Sequence, residues 1–93
     1  MKQHYIANLQ TGDELLSEPF ILQDVVRRQA RDGRPFLLAA LRDKTGQANA
    51  VFWDVPPGID AWVRPGALVL VTGRANLYKE AMQIAITDMT EVA

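Results

Sequence analysis

The sequence predicts an all-β fold: a five-stranded antiparallel barrel with one short helical element between the third and fourth strands. Three observations predict it. Five separate segments carry apolar residues at every second position or in short apolar runs, as strands with a buried face do. Turn-forming residues divide them, at Asp32-Gly33, Asp43 to Gly46 and Arg64-Pro65-Gly66. One stretch, Val55-Pro56-Pro57-Gly58, holds two prolines and ends a strand outright.

The elements follow in order. Residues 1–13 read as a lead-in, polar from Asn8 to Asp13. The first strand spans Glu18 to Ala30. Phe20 and Leu22 alternate, but Val25 and Val26 are adjacent, so the phase slips near Asp24. A β-bulge there would bend a long strand, as closure of a small barrel requires. Asp32-Gly33 turns the chain, since both residue types tolerate positive φ. The second strand runs from Pro35 to Arg42, with proline at its start, where a missing N–H does least harm. Gly46 is expected to supply a left-handed residue in the next turn. The third strand spans Gln47 to Trp53. Residues 55–66 form the helical connection, with a helical turn over Gly58 to Val63. The fourth strand spans Ala67 to Asn76 and opens on Leu68-Val69-Leu70-Val71. The fifth spans Met82 to Thr90, where Ile84 and Ile86 alternate and Met89 follows.

Bulk properties narrow the class. Ninety-three residues support one small core, so residues 1–93 are expected to form a single domain. A hydrophobic content of 48% is that of a folded chain rather than a disordered one. Cysteine is absent, which excludes disulfides and thiolate metal sites. Met1 to Asn8 has no apolar run fit for a secretory leader, and no segment has the length of a membrane span. A cytoplasmic protein without membrane partners or cofactors is therefore expected.

Net charge is −1, but its distribution is uneven. Residues 27–44 hold Arg27, Arg28, Arg31, Arg34, Arg42 and Lys44 against two acids, a local +4, while the rest of the chain carries −5. This reads as one positive edge on a mildly acidic body, a footprint suited to phosphate.

Strand alternation assigns faces. With Leu41 inside the barrel, Leu37 and Ala39 are inside too, together with Ala48, Ala50 and Phe52 on the third strand. Val69, Val71, Ile84 and Ile86 complete the expected core. Phe36, Leu38, Ala40 and Arg42 then face outward, as do Asn49, Val51 and Trp53. A strip holding Phe36, Leu38, Val51 and Trp53 is too apolar to face water uncovered. It can stack nucleobases or meet another protein. Trp62 reads as packing at one barrel end. Arg74, Tyr78 and Lys79 on and after the fourth strand complete the candidate binding set.

Gly33-Arg34-Pro35-Phe36, Leu41-Arg42-Asp43-Lys44-Thr45-Gly46, Phe52-Trp53-Asp54 and Asn76-Leu77-Tyr78-Lys79 occur in this order. Together they resemble the OB-fold nucleic-acid-binding domains. Over about Leu9 to Val92 the chain is similar to the N-terminal domain of bacterial 3′→5′ exoribonucleases that carry an HD phosphohydrolase domain further on. The resemblance implies a module that binds single-stranded RNA or DNA and serves a catalytic domain or subunit. The chain departs from the pattern in its fourth turn, Leu77 to Ala81, which lacks glycine and carries Glu80.

The chain itself offers no catalytic constellation. His4 is the one histidine and is expected to be exposed in a frayed terminus without a partner. Asp43 and Asp54 sit at strand ends as turn residues. Gly33 and Gly46 are isolated, and no metal-ligand spacing is present. Two functions remain: a single-strand binding module, or a protein-interaction module using the apolar strip.

Overall fold

Two breaks in a long first strand let this chain close on itself. The computed structural model describes residues 4–92, with only the backbone at residue 60. The first three residues of the expected lead-in and the last of the expected domain lie outside that range. Five strands are formed: β1 (Glu14–Gln29), β2 (Pro35–Asp43), β3 (Gly46–Trp53), β4 (Leu68–Tyr78) and β5 (Ala81–Glu91). Three-residue 3-10 turns lie at Ile6–Asn8 and Ile59–Ala61.

β1 pairs with β4 through its first half and with β2 through its second, and Ile21 belongs to both ladders. Its register shifts between Leu15 and Glu18 and again between Leu22 and Asp24. The second shift is the bulge expected near Asp24. The first explains why β1 begins at Glu14 rather than Glu18. Ser17 takes a left-handed φ of 49° there and donates its N–H to Thr72 Oγ1 at 3.0 Å, which breaks the alternation.

The strands close in the order β1-β2-β3-β5-β4. The expected barrel was antiparallel throughout, whereas β3 and β5 run parallel. Closure demands this. Directions cannot alternate around a ring with an odd number of strands, so one pair must run the same way.

All ten expected core residues are buried, joined by Leu15, Phe20, Leu22, Ile59, Ala75 and Met89. Each fully buried side chain of Leu or Phe size contributes about 1.5–3 kcal/mol. The two barrel ends are plugged differently. Where β3 stops, the 3-10 turn inserts Ile59, and Trp62 and Val63 pack against the core beside it. Where β3 starts, the lead-in supplies Ile6 and Leu9.

The lead-in is fastened to the β2–β3 turn. Asp43 Oδ2 accepts the Ile6 N–H at 2.9 Å, and Thr45 Oγ1 accepts the Ala7 N–H at 3.1 Å. Nor is His4 frayed. It is half-buried, with Nδ1 3.1 Å from Oε2 of the buried Glu18. Sequence pattern could not pair residues so far apart on the chain.

The same turn corrects the reading of Gly46, which is not left-handed and simply begins β3. Asp43 Oδ1 accepts both the Thr45 N–H at 2.8 Å and the Thr45 hydroxyl at 2.6 Å, closing the turn without positive φ. Left-handed residues are needed in the β4–β5 turn instead, at Lys79 (φ 51°) and Glu80 (φ 66°). Side chains at such positions cost about 1–2 kcal/mol each. Glu80→Gly is therefore expected to raise stability by about 1 kcal/mol, a melting-temperature gain of roughly 4–8 °C for a domain of this size. An unchanged or lower melting temperature would mean the turn holds glutamate without strain.

Candidate nucleic-acid interface

Cross-strand partners share a face, so the register lays out the outer surface in rows. Arg28, Phe36 and Trp53 form the first row, and Val26, Leu38, Val51 and Ala85 the second. Asp24, Ala40, Asn49 and Gln83 form the third. Arg42 lies beyond, paired with Gln47.

In the first row the Phe36 and Trp53 rings stack on each other, with centroids 4.3 Å apart and planes inclined by 28°. The Arg34 guanidinium lies over the Trp53 ring at 4.7 Å and also 3.9 Å from Asp54. Phe36 is half-buried and Trp53 is 37% exposed. The two rings therefore form one continuous aromatic surface.

Val26 and Leu38 of the second row and all of the third row line an open groove of about 390 Å³. Its floor is small, with Ala39, Ala40 and Ala50, and Leu38 and Val26 form an apolar side. Tyr78, 55% exposed at the end of β4, borders it together with Asp24, Asn49 and Gln83. Lys79 Nζ lies 5.4 Å from the Tyr78 ring centre, at the tip of the adjoining turn.

The basic residues do not form one edge. Arg27, Arg28, Arg31 and Arg34 gather at the β1–β2 hairpin, with Arg31 at its tip, and Arg27 and Arg28 line a shallow cleft with Pro35. Arg42 and Lys44 sit at the other end of β2, about 27 Å away by the rise of an extended strand. A positive end thus flanks the groove on each side. Arg28, Arg31 and Arg42 join no ion pair among the described residues. Lys44 Nζ lies 5.2 Å from the Tyr5 ring centre.

Arg74 is the candidate that falls outside this surface. It pairs with Ala85 on one side and Glu14 on the other, around the barrel wall beyond β5, and its guanidinium is 2.6 Å from the Glu14 carboxylate. Asp24, Val26 and Gln83 are lining residues that sequence reading missed. The bulge turns Asp24 and Val26 outward, and Gln83 reaches Asn49 through the unexpected parallel pairing. A cluster of metal ligands is absent among the described residues, and no helix there is long and apolar enough to cross a membrane.

A family model described as an OB-fold nucleic acid binding domain matches residues 22–92. The chain belongs to this family. Among curated proteins, the OB-fold domain is 36% identical over 69 residues to the 3′-5′ exoribonuclease YhaM of Geobacillus sp. (strain WCH70), covering 74% of this chain and 21% of that protein. It is 32% identical over 73 residues to the protein of the same name from Halalkalibacterium halodurans, covering 78% and 23%. The chain thus spans less than a quarter of the length of these relatives. Among solved structures, the second OB-fold domain of replication protein A from Methanococcus maripaludis matches with a TM-score of 0.61 at 19% identity, over 99% of this chain and 95% of that one. One chain of a replication protein A heterotrimer bound to ssDNA matches with a TM-score of 0.68 at 18% identity, over 100% of this chain and 71% of that one. Likeness at this identity establishes the fold.

Proposed function

We propose that this OB-fold domain binds single-stranded nucleic acid, RNA in the first place, and presents it to a catalytic region in the manner of a substrate-binding module. The observation that carries the reading is the outer face of β2 and β3. A stacked aromatic pair and an apolar groove lie between two basic ends. Bases stack on aromatic rings without regard to sequence, while cations track the phosphates. The exoribonuclease relatives favour RNA and a nuclease partner, whether in a longer chain or another subunit. The strip's other occupant would be a protein.

The test is a titration of fluorescently labelled oligo-U and oligo-dT at two salt concentrations. Affinity is expected to fall as salt rises, because bound phosphates release counterions. Arg28→Gln with Arg31→Gln is expected to weaken binding to every sequence. It should also flatten the logarithmic salt slope by up to about 0.7 per lost phosphate contact. Arg34 is left out of this pair because its guanidinium also rests on Trp53. An unchanged slope would show that the hairpin end does not meet the backbone. No binding by the parent, with an oligomer that hides Trp53, would assign the strip to a protein interface.

A further inference from the structure

We propose that the central groove holds a base-reading subsite that prefers guanine. The inference rests on the nucleic-acid reading above and names what one part of that surface selects. Its starting point is an oddity of charge. Asp24 places a carboxylate at the border of a groove that lies between two basic ends. Its Oδ1 accepts the neighbouring Val25 N–H at 2.9 Å, and Asp24 joins no ion pair among the described residues. A carboxylate there repels phosphate, so it suits a base rather than the backbone.

The bulge between Leu22 and Asp24 is what aims this side chain outward, the kind of re-aiming that bulges perform beside binding sites. An ionised carboxylate only accepts hydrogen bonds, and its two oxygens offer about four acceptor sites, so the bond to Val25 leaves capacity. Among the four RNA bases, guanine alone presents two adjacent donors on its Watson–Crick edge, N1–H and the 2-amino group. Adenine and cytosine set one donor beside an acceptor, and uracil sets its single N3–H between two carbonyls.

The remaining lining fits the same base. Asn49 and Gln83 are direct neighbours across β3 and β5 and share the third row with Asp24. Their carboxamides can donate to the guanine O6 and N7. Tyr78 provides an aromatic flank and Leu38 with Val26 an apolar one, while the Ala40 and Ala50 floor leaves room for the ring. The aromatic platform at Phe36 lies four residues along β2, about 13 Å away, so a neighbouring base can stack there while guanine is read here.

The experiment uses the full chain and labelled uridine nonamers, either unmodified or with one central guanosine, inosine, adenosine or cytidine. The guanosine oligomer is expected to bind about tenfold more tightly than oligo-U, the size of one bidentate contact. Inosine, which lacks the 2-amino group, should lose most of that gain. Asp24→Asn keeps an oxygen for Val25 but cannot accept both guanine donors, so the guanosine-to-uridine affinity ratio should collapse toward one. The ratio is the readout, whatever the overall affinity. A thymidine series with one deoxyguanosine should keep the preference, since the contact is to the base. Equal affinity for all the oligomers, a preference for adenosine, an undiminished ratio in Asp24→Asn, or a preference lost in DNA would each overturn the subsite while leaving single-strand binding in place. Binding of none of them would overturn the function and the subsite together.

Discussion

Replacing Gly73 with alanine is expected to destabilise the barrel by about 3 kcal/mol, and with valine to unfold it. Gly73 lies where the β4–β5 register shifts, opposite Ile86, with Thr87 as the extra residue on β5. A Cβ at this position would overlap the Ala85 carbonyl oxygen and come within 3.0 Å of the Ala85 carbonyl carbon and the Ile86 Cα. Every one of those atoms is backbone, so no rotamer change relieves the clash. β4 must part from β5 at the bulge, which weakens a hairpin that the closed ring includes. Overpacking typically costs about 1–3 kcal/mol, and backbone that cannot yield puts this site at the upper end. A domain of this size holds roughly 5–14 kcal/mol in total, so the loss is large. Gly46→Ala is the matched control. Its Cβ would meet Ile6 Cγ2 at an ordinary 3.6 Å, and no left-handed φ is required there. Urea titration followed by circular dichroism separates the two. A Gly73→Ala curve overlying the parent would mean that the bulge can migrate and the strands need not touch so closely.

How much of this was legible beforehand depended on whether a local period could carry it. Leu37, Ala39 and Leu41 assign one another once any of them is placed, and the hairpin turn carries the phase into Ala48, Ala50 and Phe52. The outward positions of Phe36, Leu38, Asn49, Val51 and Trp53 follow from the same argument. Asp24 and Val26 were not legible, because a bulge resets the phase and sequence does not mark which residue is extra. The two-residue period could have put Gln83 outside once Ile84 is inside, but its neighbour Asn49 depends on a parallel pairing dictated by ring closure. The basic residues look like one cluster because they are contiguous in sequence, and β2 then carries them to opposite ends. A glycine inside a strand, as at Gly73, marks a bulge or a close backbone approach without saying which backbone presses against it. The tie between the lead-in and the Asp43 turn gave no signal, because it is made through side-chain bonds across more than thirty residues.

Alanine at Phe36 or at Trp53 is expected to weaken oligo-U binding by about 1–3 kcal/mol, and alanine at both by little more than the worse single change. The reason is the contact between the rings. With centroids 4.3 Å apart, each ring holds the other in place, and the Arg34 guanidinium at 4.7 Å steadies Trp53 further. Removing either ring leaves the other without support, so the losses overlap as they do for residues in direct contact. The fold should survive, because both rings lie on the outer face, and their mutual stacking contributes about 0.5–1.5 kcal/mol. Tryptophan fluorescence gives an independent readout. Oligo-U should perturb the emission of Trp53, so the response disappears in Trp53→Ala and persists in Trp62→Phe, whose ring packs against the barrel end. Fully additive losses would mean two separate stacking sites. A folded Phe36→Ala protein with parental affinity would remove the platform altogether, and the outer strip formed by Leu38, Val51 and Trp53 would then be a surface for another protein.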